Sequence, residues 1–284
     1  MSPAQPTLFV MVTCSLDETR AAVLEKVVAN VVQKCIPVRS TMLDDLLVVD
    51  NASTVSGTQE LLASCFRHVH AVDRNVGYWT AVDWALREGP ALLGRDDYRY
   101  VYVIESDMLH YAFERLPVAE CFLACRPDVG AVRCQEYSIE HQRLYDKDRP
   151  RGSSRRWAWQ SHTHRFTEEP IVHTPTGVLE LYETSFLTQL PALNRIDVVR
   201  NAFDALRCLR AFSEADFQRQ CFDQHPTNAL LDGGIYHARL GTDVDGPCVT
   251  GSWSSQAVLQ TTGYRATRTG WIDPPGTYRV TRVA

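Results

Sequence analysis

The sequence predicts an α/β fold with a mostly parallel sheet and helices on both faces. Short unbroken apolar runs, typical of strands buried on both sides, alternate with segments of helical periodicity. This alternation is typical of sheets built from strand–helix–strand units. The predicted strands cover residues 8–14, 46–51, 69–73, 100–104 and 129–135. The predicted helices between them cover residues 18–34, 56–67, 78–89 and 116–126.

Two of these helices carry local end signals. Ser15 and Glu18 have the spacing of a capping box, which predicts the start of the first helix. Gly89 and Pro90 follow the third helix. They predict its end, because glycine favours the C-terminal cap position and proline is common just beyond it.

Composition and charge exclude several classes of protein. The chain has 284 residues, of which 45% are hydrophobic, enough for one large domain or two closely packed ones. A net charge of -5 argues against a nucleic-acid or membrane-surface protein. The nine cysteines have no framework spacing and are interpreted as reduced thiols. With no signal peptide and no membrane span in the sequence, we expect a cytoplasmic protein.

The pattern changes after residue 135. Residues 136–169 are polar, basic and aromatic, and they include an Arg- and Trp-bearing stretch at 143–159. That stretch could hold an anionic acceptor or donor phosphates, or it could be a surface loop. Further on, the sequence predicts strands at 178–187 and 228–240 and helices at 196–210 and 213–224.

Polar groups follow three of the predicted strands. Ligands of open α/β sheets bind outside the carboxyl ends of the strands, so we expect these groups to converge on one rim. They are Asp50-Asn51, Asp73-Arg74-Asn75 and Glu105-Ser106-Asp107.

The third group has the chemistry of a metal site. Glu105 and Asp107 are separated by one residue at a strand end, where both carboxylates can reach one cation. Mg²⁺ and Mn²⁺ prefer carboxylate oxygens and commonly keep positions open for substrate phosphates. The alternative is a solvated strand end with Asp107 capping a turn.

Taken in order, the motifs resemble those of the family 2 type of GT-A glycosyltransferases. Three motifs within residues 46–110 match closely, and two later ones match loosely. They are VVDNAS (48–53), RNVGYWTAVDWA (74–85), VIESDM (103–108), SEADF (213–217) and IYHARLG (235–241).

The resemblance implies a fold and an activity. The fold would be of GT-A type, with a Rossmann-like nucleotide-sugar-binding half at 1–135. The remaining half at 136–284, mixed α+β, would bind the acceptor and supply the catalytic base within one continuous domain. The activity would be transfer of a sugar from a nucleotide-sugar donor, UDP-linked, to an acceptor hydroxyl, with inversion and with Mn²⁺ or Mg²⁺.

The resemblance also implies which residues contact the donor. Thr13 and Asp50 would bracket the nucleobase. The others are Asn51 and Ser53 beside the nucleobase, Asn75 and Gly77 at the ribose or diphosphate, Arg74 near the phosphates, and Asp83 where the family has a second Asn.

The same resemblance suggests metal and base residues. Asp107 would be the direct metal ligand, with Glu105 and Ser106 beside it at the donor. His237 matches a histidine that completes the metal or diphosphate contacts in some members. Asp216 matches the catalytic base, although the Glu-Ala-Asp order leaves Glu214 as an alternative.

Two other functions stay open. A sugar-phosphate nucleotidyltransferase can share such a fold, but residues 13–20 lack the Gly-rich basic loop it would need. A non-catalytic nucleotide- or glycan-binding module is the other. The sequence does not determine the sugar, the acceptor (a glycan, a small molecule or, less favoured by the charge, a nucleic acid) or whether the chain forms a homo-oligomer.

Overall fold

A computed structural model of the chain describes residues 6–110, 113–136, 166–174, 177–183, 188, 191–209, 212–237, 269–270 and 278–283. The basic stretch 143–159 lies outside these residues. The strands are β1 (Thr7–Thr13), β2 (Leu46–Asp50), β3 (His68–Val72), β4 (Tyr100–Glu105), β5 (Met108–His110), β6 (Val129–Glu136), β7 (Phe166–Thr174), β8 (Gly177–Glu183), β9 (Leu193–Arg195), β10 (Phe212–Ser213), β11 (Thr227–His237), β12 (Thr269–Gly270) and β13 (Val280–Arg282).

Seven α-helices lie in the described ranges. They are α1 (Glu18–Asn30), α2 (Met42–Asp45), α3 (Thr58–Cys65), α4 (Tyr78–Leu92), α5 (Leu116–Cys125), α6 (Ile196–Leu206) and α7 (Glu214–Gln224). A π-helical turn at Val31–Cys35 continues α1, and a 3₁₀ turn at Phe113–Arg115 precedes α5. None of the helices in this part of the chain is long and apolar enough to cross a membrane.

The main sheet joins both halves of the chain. Its order is β13-β3-β2-β1-β4-β9-β6-β11-β8-β7, with β5 paired to β11. Strands β1 to β4 are parallel to one another, as predicted for a Rossmann-like half. Strand β9 comes from the second half and pairs antiparallel with both β4 and β6. The predicted fold class is therefore confirmed, and each antiparallel pair of this sheet in the described residues includes a strand of the second half.

Both faces of the sheet are covered, which explains the unbroken apolar runs. In β1, Phe9 and Met11 pack in one buried cluster with side chains of α1 and α5. Leu8 and Val10 pack in a second cluster with side chains of α4, α6 and α7. A strand buried on both faces has no exposed side to make polar.

The start of α1 differs from the prediction. Asp17, and not Ser15, caps the helix, because its carboxylate accepts from the backbone N–H of Arg20 at 2.9 Å. Ser15 instead contacts the loop after β2, because its backbone N–H donates to Ser53 Oγ at 2.8 Å. The capping-box prediction was therefore wrong for a tertiary reason.

Helix α4 also differs, because it continues past Gly89 and Pro90 to Leu92. Proline has no N–H, so the carbonyl of Leu86, four residues earlier, loses its helical donor. Arg200 of α6 replaces that donor, with Nε at 3.2 Å and Nη2 at 2.8 Å from the oxygen. The predicted helix end was wrong because a distant side chain satisfies the interrupted turn.

Six strands were not predicted from the sequence. They are β5, β7, β9, β10, β12 and β13. Five of them have two or three residues, too few for a pattern of alternation to be recognised. The nine-residue β7 begins inside 136–169, where the sequence has no clear period. All seven cysteines with described side chains are free thiols. Cys35 is buried in the core as expected for an apolar pattern, but Cys121 and Cys125 are exposed, so their apolar surroundings in sequence do not place them in the core.

Candidate active site

The loops that follow β1, β2 and β3 are joined by a hydrogen-bond network. Asn51 donates from Nδ2 to Asn75 Oδ1 at 3.1 Å, and Asn75 donates from Nδ2 to the sulfur of Cys14 at 3.2 Å. The backbone N–H of Val76 donates to Asn51 Oδ1 at 2.9 Å, and that of Gly77 donates to Asn75 Oδ1 at 2.9 Å. Two asparagines thus hold the ends of β1, β2 and β3 together at one rim. The sequence predicted that the ends of β2 and β3 would meet here, together with that of β4.

Asp50 shapes the loop after β2. It is fully buried; Oδ1 accepts from the Ser53 N–H at 3.1 Å and Oδ2 from Gln59 Nε2 at 2.9 Å. Ala52, which lies between Asp50 and Ser53 in sequence, has a φ of 60°. This left-handed conformation costs a non-glycine residue about 1 kcal/mol. The hydrogen bonds of Asp50 and Ser53 hold this conformation in place.

A cleft of about 280 Å³ opens beside this rim. Residues from the ends of β1 and β4, from the first two turns of α1 and from the first turn of α4 line it. They are Val12, Cys14, Ser15, Arg20, Val23, Leu24, Tyr78, Glu105, Ser106 and Asp107. The cleft therefore contains the whole predicted Glu-Ser-Asp triplet, together with Arg20 and Tyr78, which sequence reasoning missed. Tyr78 follows Gly77 directly, so its position after the motif was an available signal.

The carboxylates at this site repel one another. Burial raises the pKa of Glu105 well above its usual range, and the charges of Asp107 and Glu214 raise that pKa further. The charge of Arg133 lowers the pKa of Glu105, and so does a hydrogen bond from Tyr78 Oη, 3.5 Å from Glu105 Oε1. Three acidic groups from β4, the following turn and α7 thus share one electrostatic environment.

Arg133 is the second residue that sequence reasoning missed. Its side chain is almost fully buried in β6, although Arg is rarely buried unless it is paired. A single arginine inside the apolar run 129–135 was the available signal. Its charge partly compensates Glu105.

An aromatic cluster brings the start of α7 to the cleft. Trp79, next to Tyr78, packs on Phe217 with ring centroids 4.9 Å apart, and Phe203 lies 5.3 Å from Phe217. Phe217 is only three residues from Glu214. Of the two predicted base candidates, Glu214 is half-buried and Asp216 is exposed. The charge of Glu214 is among those that raise the pKa values of Glu105 and Tyr78.

The backbone of His237 lies at the same site. In the antiparallel pair of β11 with β5, His237 is opposite Met108, the residue after Asp107. His237 could bind a metal together with Asp107 only if the fold placed the two residues close together. Within the described residues, however, no three His, Cys, Asp or Glu side chains form a group that could hold a metal ion.

Three other predicted donor residues have different surroundings. Thr13 is buried, and its Oγ1 has no hydrogen-bond partner in the described part of the chain. Arg74 is exposed. Asp83 is buried and forms ion pairs with Arg87 at 2.9 Å and Arg207 at 2.6 Å. The pair with Arg207 links α4 to the end of α6, while the pair with Arg87 lies within α4. Asp83 does not line the cleft.

In the described residues, a parallel Rossmann-like half with polar strand ends shares one sheet with a mixed half. No protein-family model and no curated protein matches the sequence. Among solved structures, the chain is similar to S. aureus TarS 1-349 in complex with UDP-GlcNAc, with a TM-score of 0.47, 13% identity, and coverage of 86% of this chain and 62% of that one.

The chain is also similar to glucosyl-3-phosphoglycerate synthase from Mycobacterium tuberculosis, solved with Mn²⁺, UDP and phosphoglyceric acid. Here the TM-score is 0.44 at 13% identity, with coverage of 98% of this chain and 86% of that one. This chain spans less than two thirds of the TarS fragment. Because these likenesses assign no activity, function is inferred from the site.

Proposed function

We propose that the protein is a glycosyltransferase that moves a sugar from a UDP-linked donor to an acceptor hydroxyl, with inversion. The observation that carries this proposal is the hydrogen-bonded convergence of three strand ends beside the paired carboxylates of one cleft. Sheets of this kind bind ligands at the carboxyl ends of their strands.

The donor would lie along the rim between β1 and β4. Asn51 and Asn75 use their amides on each other and on neighbouring backbone, so they would position the loops that meet the nucleotide. Thr13 contributes a buried hydroxyl without a described partner near the proposed nucleobase position. Arg20 lines the cleft, where its positive charge would favour a diphosphate.

The carboxylate pair fits a divalent cation. The charge of Asp107 raises the pKa of Glu105, and a bound Mn²⁺ or Mg²⁺ would stabilise both carboxylates. Asp107 would be the direct ligand, with Glu105 beside it and His237 placed next to Met108. The bound cation would supply positive charge to the diphosphate leaving group. Tyr78 and Arg133 would hold Glu105 in position.

Glu214 is the better candidate for the base. A carboxylate oxygen of Glu214 would take the proton of the acceptor hydroxyl, while the acceptor oxygen forms a bond to the anomeric carbon. The bond from that carbon to the diphosphate oxygen breaks on the opposite side, and UDP leaves with the electron pair. This in-line displacement inverts the anomeric carbon. Asp216, in the same helical turn, remains the alternative.

Release of UDP from a panel of UDP-sugars, with Mn²⁺ and with EDTA, tests the proposal. We expect turnover only with metal, and a loss of about 10²-fold or more in Asp107→Asn and Glu214→Gln, in keeping with the contributions of general bases. Asp223→Asn is the matched control, because this exposed carboxylate lies on the same helix and pairs only with Arg219 in the described part of the chain.

Two results would contradict this account. If no UDP-sugar raises the melting temperature in the presence of metal, donor binding at this cleft is wrong. The second result has three parts: the parent protein binds UDP, it shows no turnover, and Asp107→Ala leaves the affinity for UDP unchanged. In that case the chain is a metal-independent binding module.

A further inference from the structure

A second pocket lies at the opposite end of strand β4 from the cleft. Tyr100 at the start of β4 and Arg195 at the end of β9 line it, and its volume is about 430 Å³. β4 ends at Glu105, which lines the cleft. At about 3.3 Å per residue, the strand places the two sites about 16 Å apart. The pockets share no lining residue.

Three arginines make this pocket basic. Arg99, Arg195 and Arg200 line it, opposed by the single carboxylate of Asp197. No ion pair involves any of the three arginines in the described part of the chain. Arg195 is held in place by donating to the carbonyls at the end of α5, including that of Leu123 at 2.6 Å. These neutral carbonyls hold Arg195 in place without neutralising its charge, and an opposing charge nearby is that of Asp128, whose pKa Arg195 lowers.

The start of α6 adds positive potential to the same pocket. Arg195 is the N-cap residue, and no side chain caps the helix. The Ile196 N–H donates to the Arg99 carbonyl at 3.1 Å. The aligned peptide dipoles of this 11-residue helix favour an anion at its N-terminus. Asp197 in the first turn offsets part of this potential.

Tyr100 supplies an independent sign of a ligand. Its side chain is 1% exposed, and its Oη has no hydrogen-bond partner in the described part of the chain. A buried hydroxyl is normally satisfied, because leaving it without a partner costs free energy. Tyr100 is one of the residues that line the pocket. The charges of Arg195, another lining residue, and of Glu120 both act on the pKa of its hydroxyl.

We propose that this pocket, between Tyr100, the three arginines and the start of α6, binds the phosphate group of a small phosphorylated metabolite. Guanidinium groups, a helix N-terminus and a hydroxyl are all donors, and phosphate is an acceptor on every face. The volume exceeds that of inorganic phosphate and lies in the range of small-molecule sites. This inference is independent of the proposed function.

Titration of the full chain with inorganic phosphate tests the site. Binding is measured by calorimetry and by melting temperature, with sodium chloride as the control at equal ionic strength. We expect phosphate, and not chloride, to raise the melting temperature. Arg99→Gln should weaken phosphate binding about tenfold, the size expected for one charge-assisted contact. Asp197→Asn should strengthen it, because the opposing carboxylate is removed.

Two controls locate the effect. Arg219→Gln removes an exposed arginine from α7, outside the pocket, and should leave phosphate affinity unchanged. UDP affinity in Arg99→Gln should equal that of the parent, which separates this pocket from the cleft. Because Arg99→Gln and Asp197→Asn act in opposite directions, loss of folding cannot produce the expected pair of results.

The proposal is overturned if phosphate stabilises the protein no more than chloride does. It is also overturned if Arg99→Gln and Asp197→Asn both bind phosphate as the parent does, since binding would then lie elsewhere.

Discussion

Asp83→Asn separates a structural role for this residue from a role in donor binding. The carboxylate accepts from Arg87 Nε at 2.9 Å through one oxygen and from Arg207 Nη2 at 2.6 Å through the other. Asparagine keeps the shape, but it has one acceptor oxygen, and its amide N–H groups face a guanidinium donor. The substitution therefore removes one hydrogen bond and both ion pairs.

The expected loss of stability follows from the burial of the three side chains. Asp83 is 7% exposed, while Arg87 and Arg207 are 30% and 33% exposed. Breaking a fully buried pair costs about 3–5 kcal/mol, and exposed pairs contribute at most about 1 kcal/mol. Because solvent screens the two guanidinium groups in part, we expect a loss of about 2 kcal/mol. That corresponds to a fall in melting temperature of roughly 4–8 °C for a chain of this size.

Urea unfolding and UDP binding, measured on the same variants, form the assay. Asp223→Asn is the control, because its pair with Arg219 is exposed at both ends and should contribute at most about 0.5 kcal/mol. Since Asp83 does not line the cleft, UDP affinity should stay at the parent value. Unchanged stability combined with weakened UDP binding would refute this reasoning and favour the donor role implied by sequence resemblance.

Three further predictions follow from buried groups. Burial lowers the pKa of His110 to about 4, below the ordinary 6.5. Because the unfolded chain therefore takes up a proton at a higher pH than the folded one, the free energy of unfolding should fall by about 3 kcal/mol as the pH drops from 6.5 to 4. His110→Leu should remove most of that pH dependence in urea titrations. Arg200→Met should cost about 1–2 kcal/mol, and less in a Pro90→Ala background, where residue 90 regains an N–H for the orphaned carbonyl; equal costs in a double-mutant cycle would show that no such substitution of donors occurs. Gly130→Ala should destabilise by about 1–3 kcal/mol, because its Cβ would lie 2.6 Å from that of His225; a thermal melt matching the parent would contradict this.

The first half of the fold could be predicted because its signals are local. All five predicted strands in residues 1–135 occur within one or two residues of their expected bounds. Each is an apolar run with no polar face, and such runs exist only where helices cover both sides of a sheet. The convergence of Asp50, Asn75 and Asp107 near one rim follows from the parallel order of those strands.

The failures have one cause in common. Pro90 signals a helix end only if nothing else donates to the carbonyl four residues before it, and Arg200 is 110 positions away in sequence. Ser15 has the spacing of a cap, but Ser53 competes for its backbone N–H. In both cases a distant partner changed the outcome of a local rule.

By itself, the sequence determined the alternation of strands and helices, the parallel half of the sheet and the polar residues at the strand ends, because these depend on periodicity along the chain. Only the tertiary structure decided that Tyr78 and Arg133 meet Glu105, that the charge of Glu214 acts on Glu105, and that Asp83 is held by two arginines. Those pairings join residues far apart in sequence, and they depend on how Trp79 and Phe217 pack α7 against the start of α4.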